Sequence, residues 1–228
     1  MSLDDCTLTY FGGTGRGEVL RLALARLGVQ WTDERLDFKD WQAAKSSAPW
    51  GSLPTLKLAD GQVLAQTKAL LRLIGKKGGF YPADELLAFR TDELIDAVED
   101  LSNTVRLTGA KLEGAEKEAA RMVSAEAGGE IYLAIHKIDA FIGLHGTDGF
   151  AVGSALTTAD FALFTTLSSI AGCTYDGVPL TVLDPFPRIH AVRKMVASLP
   201  TTIAWYAGRG DAKSKFELFF ESAKDIVL

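Results

Sequence analysis

Residues 8–18 have the sequence LTYFGGTGRGE, in which a strand pattern changes into a helix pattern within a few positions. The residues before the glycines are β-prone, whereas the EVLRLAL that begins at the glutamate favours helix, so a strand ends beside the start of a helix. Tyr10 and Arg16 then lie near unpaired backbone N–H groups at the positive end of the helix dipole. A phenol and a guanidinium in this setting suit the binding of an anion.

The segments around this junction predict a small α/β domain over residues 1–81. Its predicted strands are 7–11, 29–36, 55–58 and 62–65, and its predicted helices are 18–27, 40–45 and one that opens at Gln66-Thr67 and ends in Gly78-Gly79. The last two strands form a hairpin around the turn Ala59-Asp60-Gly61. The order βαβ followed by ββα is typical of a small sheet packed on helices.

No convincing strand pattern occurs beyond Asp84. The predicted helices of this second part are 86–111, 116–144, 158–171, 186–198 and 201–207. Residues 85–228 are therefore predicted to form a separate all-helical domain, and the fold class is α/β plus all-α.

The clearest local signal in the helical part is the sequence LTTAD at residues 156–160. Thr157 can cap a helix, Asp160 can bond back to it as the third helical residue, and Leu156 can pack onto Phe161. The carboxylate of Asp160 is therefore given a structural role.

Composition and charge narrow the possible partners. The 228 residues are 47% hydrophobic with a formal net charge of −5, typical of a globular protein with a sizeable core. The basic residues are interspersed, which argues against nucleic acid or anionic membranes as main partners. The sequence shows neither a signal-peptide pattern nor an uncharged apolar run near the ~18 residues of a membrane span. We therefore expect a cytoplasmic protein.

Three other chemistries find little support in the residue spacing. Cys6 and Cys173 lie far apart, which suggests neither a disulfide framework nor a dithiol centre. The three histidines have no paired ligand spacing, so a metal site is not expected. Glycines alternate over residues 13–17 like part of a dinucleotide motif, but the third glycine of that motif would fall at Glu18 and no further βαβ units follow.

Seven short motifs occur in one order along most of the chain. They are LTYF (8–11), GRGE (15–18), DWxxxK (40–45), PWGSLP (49–54), LAQT (64–67), VEDL (98–101) and LTTAD (156–160). With these motifs the chain resembles the cytosolic glutathione transferases, specifically the sigma-like class that includes glutathione-dependent prostaglandin D synthases. The resemblance implies a thioredoxin-like N-terminal domain, an all-helical C-terminal domain, a homodimer and reduced glutathione as cosubstrate.

The resemblance assigns catalysis to Tyr10 and Arg16. The thiol of glutathione is like a cysteine with a pKa near ~8.5, so it is mostly protonated at pH 7 and must be stabilised as the thiolate. A phenolic O–H can donate a hydrogen bond to the sulfur, and a nearby guanidinium adds a positive charge. By itself Tyr10 would be one more aromatic residue in a strand, but the glycine turn and the family register favour the catalytic role.

The resemblance also implies sites for the two carboxylates of glutathione. Gln66 and Thr67 begin a helix, where their side chains and free N–H groups can bind the γ-glutamyl carboxylate. Trp41 and Lys45, four residues apart on a predicted helix, can reach the glycyl carboxylate. Without the resemblance these would be ordinary capping residues, a half-buried tryptophan and a solvated lysine.

Residues 52–54 are expected to hold the cysteinyl part of glutathione. Pro54 matches the cis-proline of the family, which turns the backbone of Leu53 to pair with the cysteinyl residue like an added strand. Ser52 stands where related sequences often carry a longer Lys or Gln, so its contact with glutathione is expected to be shortened or water-bridged.

The electrophile is expected to bind against one aromatic side chain of the first domain and several groups of the second. These are Phe11, Ser102, Arg106 and Leu107, with the C-terminal aromatic residues Phe216, Phe219 and Phe220. The function implied is attack of the glutathione thiolate on an electrophile, as in detoxification. The alternatives are isomerisation of a prostaglandin-type endoperoxide, and a weakly catalytic ligand-binding or structural protein.

Two charge stripes suggest how a dimer forms. Basic residues recur every four positions on one predicted helix and acidic residues on another: Lys68, Arg72 and Lys76, and Asp92, Asp96 and Asp100. Solvated faces are the commoner reason for such stripes, but in a twofold dimer the two helices can meet twice. The resemblance also implies that Asp100 contacts the amino group of glutathione in the neighbouring subunit.

Overall fold

A computed structural model describes residues 1–172 and 174–207. The chain divides into two compact units, Met1–Tyr81 and a second that begins at Pro82. The described strands and helices are β1 (Cys6–Phe11), α1 (Gly15–Leu27), β2 (Trp31–Leu36), α2 (Phe38–Ala44), β3 (Thr55–Lys57), β4 (Val63–Ala65), α3 (Thr67–Gly78), α4 (Glu85–Leu107), α5 (Gly114–Ala125), α6 (Glu130–His145), α7 (Thr158–Ala171), α8 (Pro187–Ser198) and α9 (Pro200–Ala207).

The first unit is built on a four-stranded sheet with the order β2-β1-β3-β4. Strand β1 pairs parallel with β2 and antiparallel with β3, and β3 forms the predicted hairpin with β4. Parallel neighbours need a crossover, which α1 supplies between β1 and β2. The side chains of Leu8, Leu20 and Leu56 are fully buried in this unit. Their burial holds the end of β1 and the start of α1 together.

Helix α1 begins earlier than predicted. It starts at Gly15 instead of Glu18, and the first intrahelical bond runs from the Glu18 N–H to the Thr14 carbonyl at 2.9 Å. Because glycine has a low helix propensity, the sequence pattern did not predict this first turn. As a result, Arg16 lies in the first turn of α1 and not in the preceding loop.

The regular elements among the described residues of the second unit are helices, apart from one isolated bridge between Gly146 and Gly153, and the unit is centred on α7. Nearly every residue of α7 is buried, among them Phe161, Phe164 and Leu167. Helix α7 packs against both α4 and α8. A helix that is apolar on all sides is stable only where neighbours surround it, so α7 forms the core of this unit.

The prediction of one helix over residues 116–144 is wrong. The structure has two helices, α5 and α6, separated by residues 126–129. Gly128 adopts a left-handed conformation with φ of 93°, which ends the helical path. A Cβ atom on Gly129 would lie 2.3 Å from the Ser124 carbonyl oxygen, so the chain also folds back more tightly than a side chain would allow.

The predicted capping signal before α7 is confirmed for Thr157 and Asp160. The Asp160 carboxylate accepts hydrogen bonds from the Thr157 N–H at 2.6 Å, the Thr157 hydroxyl at 2.9 Å and the Ala151 N–H at 2.7 Å. Asp160 is completely buried, and this burial raises its pKa to about 6 against the opposing effect of the hydrogen bonds. The packing of Leu156 onto Phe161 stays a prediction.

Candidate active site

The side chain of Tyr10 is held at the end of β1 by the first turn of α1. Its hydroxyl oxygen accepts a hydrogen bond from the backbone N–H of Arg16 at 3.1 Å. The ring is half-buried and meets the ring of Phe11 edge to face, with 5.4 Å between their centroids. Because the oxygen already accepts a bond from the protein, the phenolic proton remains available for an acceptor outside the chain.

Two glycines make this close approach possible. A Cβ atom on Gly15 would lie 2.5 Å from the Tyr10 hydroxyl oxygen, and one on Gly17 would lie 2.4 Å from a ring carbon of Tyr10. Gly15 also has φ of 37°, in the region that side chains disfavour. The glycines that seemed in the sequence to serve only the turn therefore make room for the phenol.

Arg21 connects β1, the loop after it, α1 and β2, and sequence reasoning missed it. Its Nε donates to the Asp33 carboxylate at 2.9 Å, and Nη1 donates to the Gly13 carbonyl at 2.8 Å and the Glu18 carboxylate at 3.2 Å. Its Nη2 donates to the Phe11 carbonyl at 2.8 Å. The available signal was a charge within the apolar run VLRLAL, where an amphipathic helix should place an apolar side chain.

The two residues expected at the glycyl carboxylate lie at the end of α2. Trp41 is 8% exposed and meets Phe11 edge to face at 6.3 Å between ring centroids. Lys45 is exposed and begins a 3-10 turn directly after α2 ends, so the pair spans the end of the helix and not one regular face. A groove of about 470 Å³ runs beside Lys45 and is lined by Gln42, Ser46, Ala48 and Gly51.

The segments at the starts of β3 and α3 carry the other expected glutathione contacts. The Leu53–Pro54 peptide bond is cis, as the resemblance predicts, and Ser52 and Leu53 are half-buried. Gln66 has φ of 76° immediately before α3, and its side chain makes no capping hydrogen bond. A non-glycine residue in this region costs about 1–3 kcal/mol, and such strain is concentrated at functional sites. Thr67, the first residue of α3, is half-buried.

The remaining predicted residues lie on α4 in the helical unit. Asp100 and Arg106 are exposed, Ser102 is half-buried, and Leu107 is 57% exposed at the end of the helix. Asp100 lines a cavity of about 520 Å³ between α4 and α6. Phe216, Phe219 and Phe220 lie outside the described residues, as does Cys173.

The buried thiol of Cys6 is not a candidate nucleophile. It lies at the start of β1 with no exposed surface, and burial raises its pKa. A thiol in this state stays protonated at neutral pH and cannot be reached by a substrate.

Residues 1–172 and 174–207 contain no group of three or more His, Cys, Asp or Glu side chains that could hold a metal ion. None of their helices is both long enough and apolar enough to cross a membrane.

Comparisons with known proteins identify relatives for both units. The family model for the glutathione S-transferase C-terminal domain matches residues 107–209. The chain is 27% identical to human hematopoietic prostaglandin D synthase over 206 residues, which cover 90% of this chain and 97% of the human protein.

Two solved structures extend the likeness to the fold. A monomeric glutathione S-transferase of the hookworm Necator americanus, Na-GST-3, is 31% identical, with a TM-score of 0.76 over 92% of this chain and 100% of that one. The prostaglandin synthase D of Nilaparvata lugens is 25% identical, with a TM-score of 0.79 over 90% of this chain and 98% of that one. These likenesses confirm the predicted fold class, a thioredoxin-like unit followed by an all-helical one.

Proposed function

The chain belongs to the glutathione S-transferase family, and from this premise we propose that Tyr10 activates the thiol of bound glutathione for attack on electrophilic substrates. One observation carries the proposal. The Tyr10 oxygen accepts the Arg16 N–H at 3.1 Å, so its own proton is free to be donated to a sulfur atom. A hydrogen bond to a charged acceptor stabilises the thiolate relative to the thiol and lowers the pKa of the thiol.

In this mechanism the thiol proton leaves to solvent and Tyr10 keeps its own. The lone pair of the thiolate forms the new carbon–sulfur bond as the leaving group departs with its electron pair, and Arg16 stabilises negative charge on the sulfur. From the same residues, Tyr10 and Arg16, we propose that the protein is a tyrosine-type transferase of the sigma-like class. Phe11, Ser102, Arg106 and Leu107 are proposed to line the electrophile site.

Glutathione is proposed to be held at its three parts by different segments. Gln66 and Thr67 bind the γ-glutamyl carboxylate at the start of α3, and the strained backbone of Gln66 supports this role. Residues 52–54 pair with the cysteinyl backbone. Trp41 and Lys45 bind the glycyl carboxylate beside the groove at the end of α2.

The direct test measures glutathione conjugation of a generic aryl halide. We expect saturable turnover above the uncatalysed rate, and an ultraviolet thiolate band of bound glutathione that titrates below ~8.5, the usual value for a thiol. Glutathione binding without either signal would support the third possibility, a ligand-binding or structural protein.

A second candidate function is isomerisation of a prostaglandin-type endoperoxide. It is favoured by the 27% identity to a prostaglandin D synthase over 90% of this chain. The same thiolate would attack one endoperoxide oxygen and break the O–O bond, which leaves an alkoxide on the other oxygen that takes up a proton. Loss of the proton on the carbon that bears the sulfur-bound oxygen would then form a carbonyl and expel the thiolate, so glutathione would not be consumed. Incubation with the endoperoxide followed by product analysis distinguishes this reaction from conjugation.

Lys45→Ala is expected to raise the KM for glutathione about 5- to 20-fold and to leave kcat nearly unchanged. Lys45 is proposed to bind the glycyl carboxylate in the ground state and the transition state alike, and losing such a contact changes KM alone. Steady-state kinetics with varied glutathione measure both constants. Lys39→Ala, which removes an exposed lysine within α2, should have neither effect. A fall in kcat without a rise in KM would contradict the assignment.

We also propose a cytoplasmic homodimer in which Asp100 reaches the amino group of glutathione bound to the other subunit. The basic stripe lies on α3 and the acidic stripe on α4, so a twofold axis allows each α3 to face an α4 of the other copy. The alternative is a monomer, the state named for the Necator americanus relative.

Arg72→Glu is expected to shift the protein towards monomer and to lower activity in parallel, because it places like charges together at the proposed interface. Light scattering across a concentration series gives the mass, and activity is read on the same samples. Arg26→Glu reverses an exposed charge on α1 and serves as the matched control. Asp100→Asn should weaken glutathione binding without changing the mass. A fully active monomer would rule out the shared site.

A further inference from the structure

Arg21 has no part in the chemistry proposed above, although it bonds to β1, the loop after it, α1 and β2. Its side chain is 0% exposed, and a charge is rarely buried unless its partners are fixed. Two of its partners are the carboxylates of Glu18 and Asp33, and Asp33 is shared with Arg35. The other two partners are backbone carbonyls, which a neutral hydrogen-bond donor could satisfy equally well.

Those two carbonyls belong to Phe11 and Gly13, on either side of Gly12 in the loop between β1 and α1. Cβ atoms built on Gly12 and Gly13 would meet nothing within 4 Å, so side-chain packing does not hold this loop. Neither glycine has a positive φ. The guanidinium of Arg21 does bond to this loop, through the carbonyls at both sides of Gly12.

The loop leads directly into the N–H group that contacts the phenol. Arg16 lies three positions after Gly13, and its N–H donates to the Tyr10 hydroxyl at 3.1 Å. The guanidinium carbon of Arg21 also lies 5.8 Å from the centroid of the Tyr10 ring. A cation over the ring face interacts with its π electrons, so Arg21 contacts the phenol as well as the loop.

We propose that Arg21 is a positioning residue for thiolate formation: by clamping the carbonyls of Phe11 and Gly13, it holds the Arg16 N–H and the Tyr10 phenol in their working geometry. This inference rests on the proposed function, in which Tyr10 stabilises the glutathione thiolate. Arg21 touches neither glutathione nor the electrophile and acts through Tyr10 and Arg16.

The test is Arg21→Lys, read by the ultraviolet absorbance of bound glutathione thiolate against pH. Lysine keeps the charge but carries one nitrogen instead of a rigid fork, so it cannot hold two carbonyls and two carboxylates together. We expect the pKa of the bound thiol to rise by about one unit, a roughly tenfold loss of thiolate at neutral pH. The kcat should fall about tenfold at neutral pH and recover as the pH is raised, with the KM for glutathione changing less than about threefold.

Arg193→Lys is the control for a purely structural loss. Arg193 is as buried as Arg21, at 1% exposed, but lies in the helical unit, where it donates to Ser168. Its replacement should lower the unfolding temperature without moving the thiol pKa. Hydrogen exchange of residues 12–17, which needs no substrate, should be faster in Arg21→Lys than in the wild type or in Arg193→Lys.

An unchanged thiol pKa in a folded Arg21→Lys protein, or unchanged hydrogen exchange at residues 12–17, would overturn the proposal. If Arg21→Lys does not fold, Asp33→Asn decides, because it leaves both carbonyl contacts of Arg21 in place. It weakens the anchor at Nε of Arg21, together with the contact of Arg35 with Asp33 at 2.7 Å, and should shift the thiol pKa less but in the same direction. If the wild type itself does not lower the thiol pKa, the proposed function fails, and hydrogen exchange alone then decides whether Arg21 holds the loop.

Discussion

Replacement of Tyr10 by phenylalanine is expected to lower the rate of conjugation roughly 10- to 150-fold while glutathione still binds. The variant loses one hydrogen bond to a charged acceptor, about 1.5–3 kcal/mol, and this loss appears in the rate if thiolate formation limits turnover. The ring, its contact with Phe11 and the space left by Gly15 and Gly17 are all retained. The change therefore isolates the hydroxyl.

The measurement is the pH titration of the bound thiolate by ultraviolet absorbance, in parallel with kcat. The pKa of the bound thiol should rise by about 1–2 units, the same free energy expressed as a proton affinity. Tyr175→Phe removes a phenolic hydroxyl that has no role in the proposed mechanism but keeps its ring near Arg121, so it should change neither quantity. If Tyr10→Phe leaves the thiol pKa where it was, Tyr10 is not the activating group.

The order of strands and helices could be predicted because local signals and tertiary packing agree. The pattern of strand, glycine turn and helix at residues 8–18 reports both the end of β1 and the start of α1, although glycine propensity hid the first turn of the helix. The hairpin and the cap of α7 were likewise readable from short motifs. The break between α5 and α6 was not, because Gly128 and Gly129 sit within a stretch that otherwise favours helix.

The site could be predicted from the sequence only where the chemical type of a residue indicates its role. A phenol, a guanidinium and a helix start suggested an anion site at Tyr10 and Arg16, and the cis bond before Pro54 followed from the resemblance. The role of Arg21 depends on which carbonyls face it once the chain is folded. The spacing of residues in the sequence does not show which carbonyls will face Arg21. It does not show the positive φ of Gln66 either.

Asp160→Ala is expected to lower the free energy of unfolding by on the order of 3–5 kcal/mol. The substitution leaves the buried N–H groups of Ala151 and Thr157 without their acceptor, and each unsatisfied buried donor costs about 1–3 kcal/mol. It also removes the capping box of α7, the helix at the core of the second unit. Chemical denaturation at constant pH measures the loss, and Asp176→Asn, at an exposed position of the same unit, is the control.

The pH dependence of stability separates the charge of Asp160 from its hydrogen bonds. Burial raises the pKa of the folded carboxyl to about 6, above the value near ~3.9 in an unfolded chain. The folded state therefore binds more protons than the unfolded state between about pH 4 and 6, and stability must fall as the pH rises through that window. Asp160→Asn cannot titrate, so the stability of the wild type relative to this variant should decrease by about 2–3 kcal/mol from pH 4 to pH 7. A difference that stays constant or increases with pH would show that the hydrogen bonds from Thr157 and Ala151 outweigh burial.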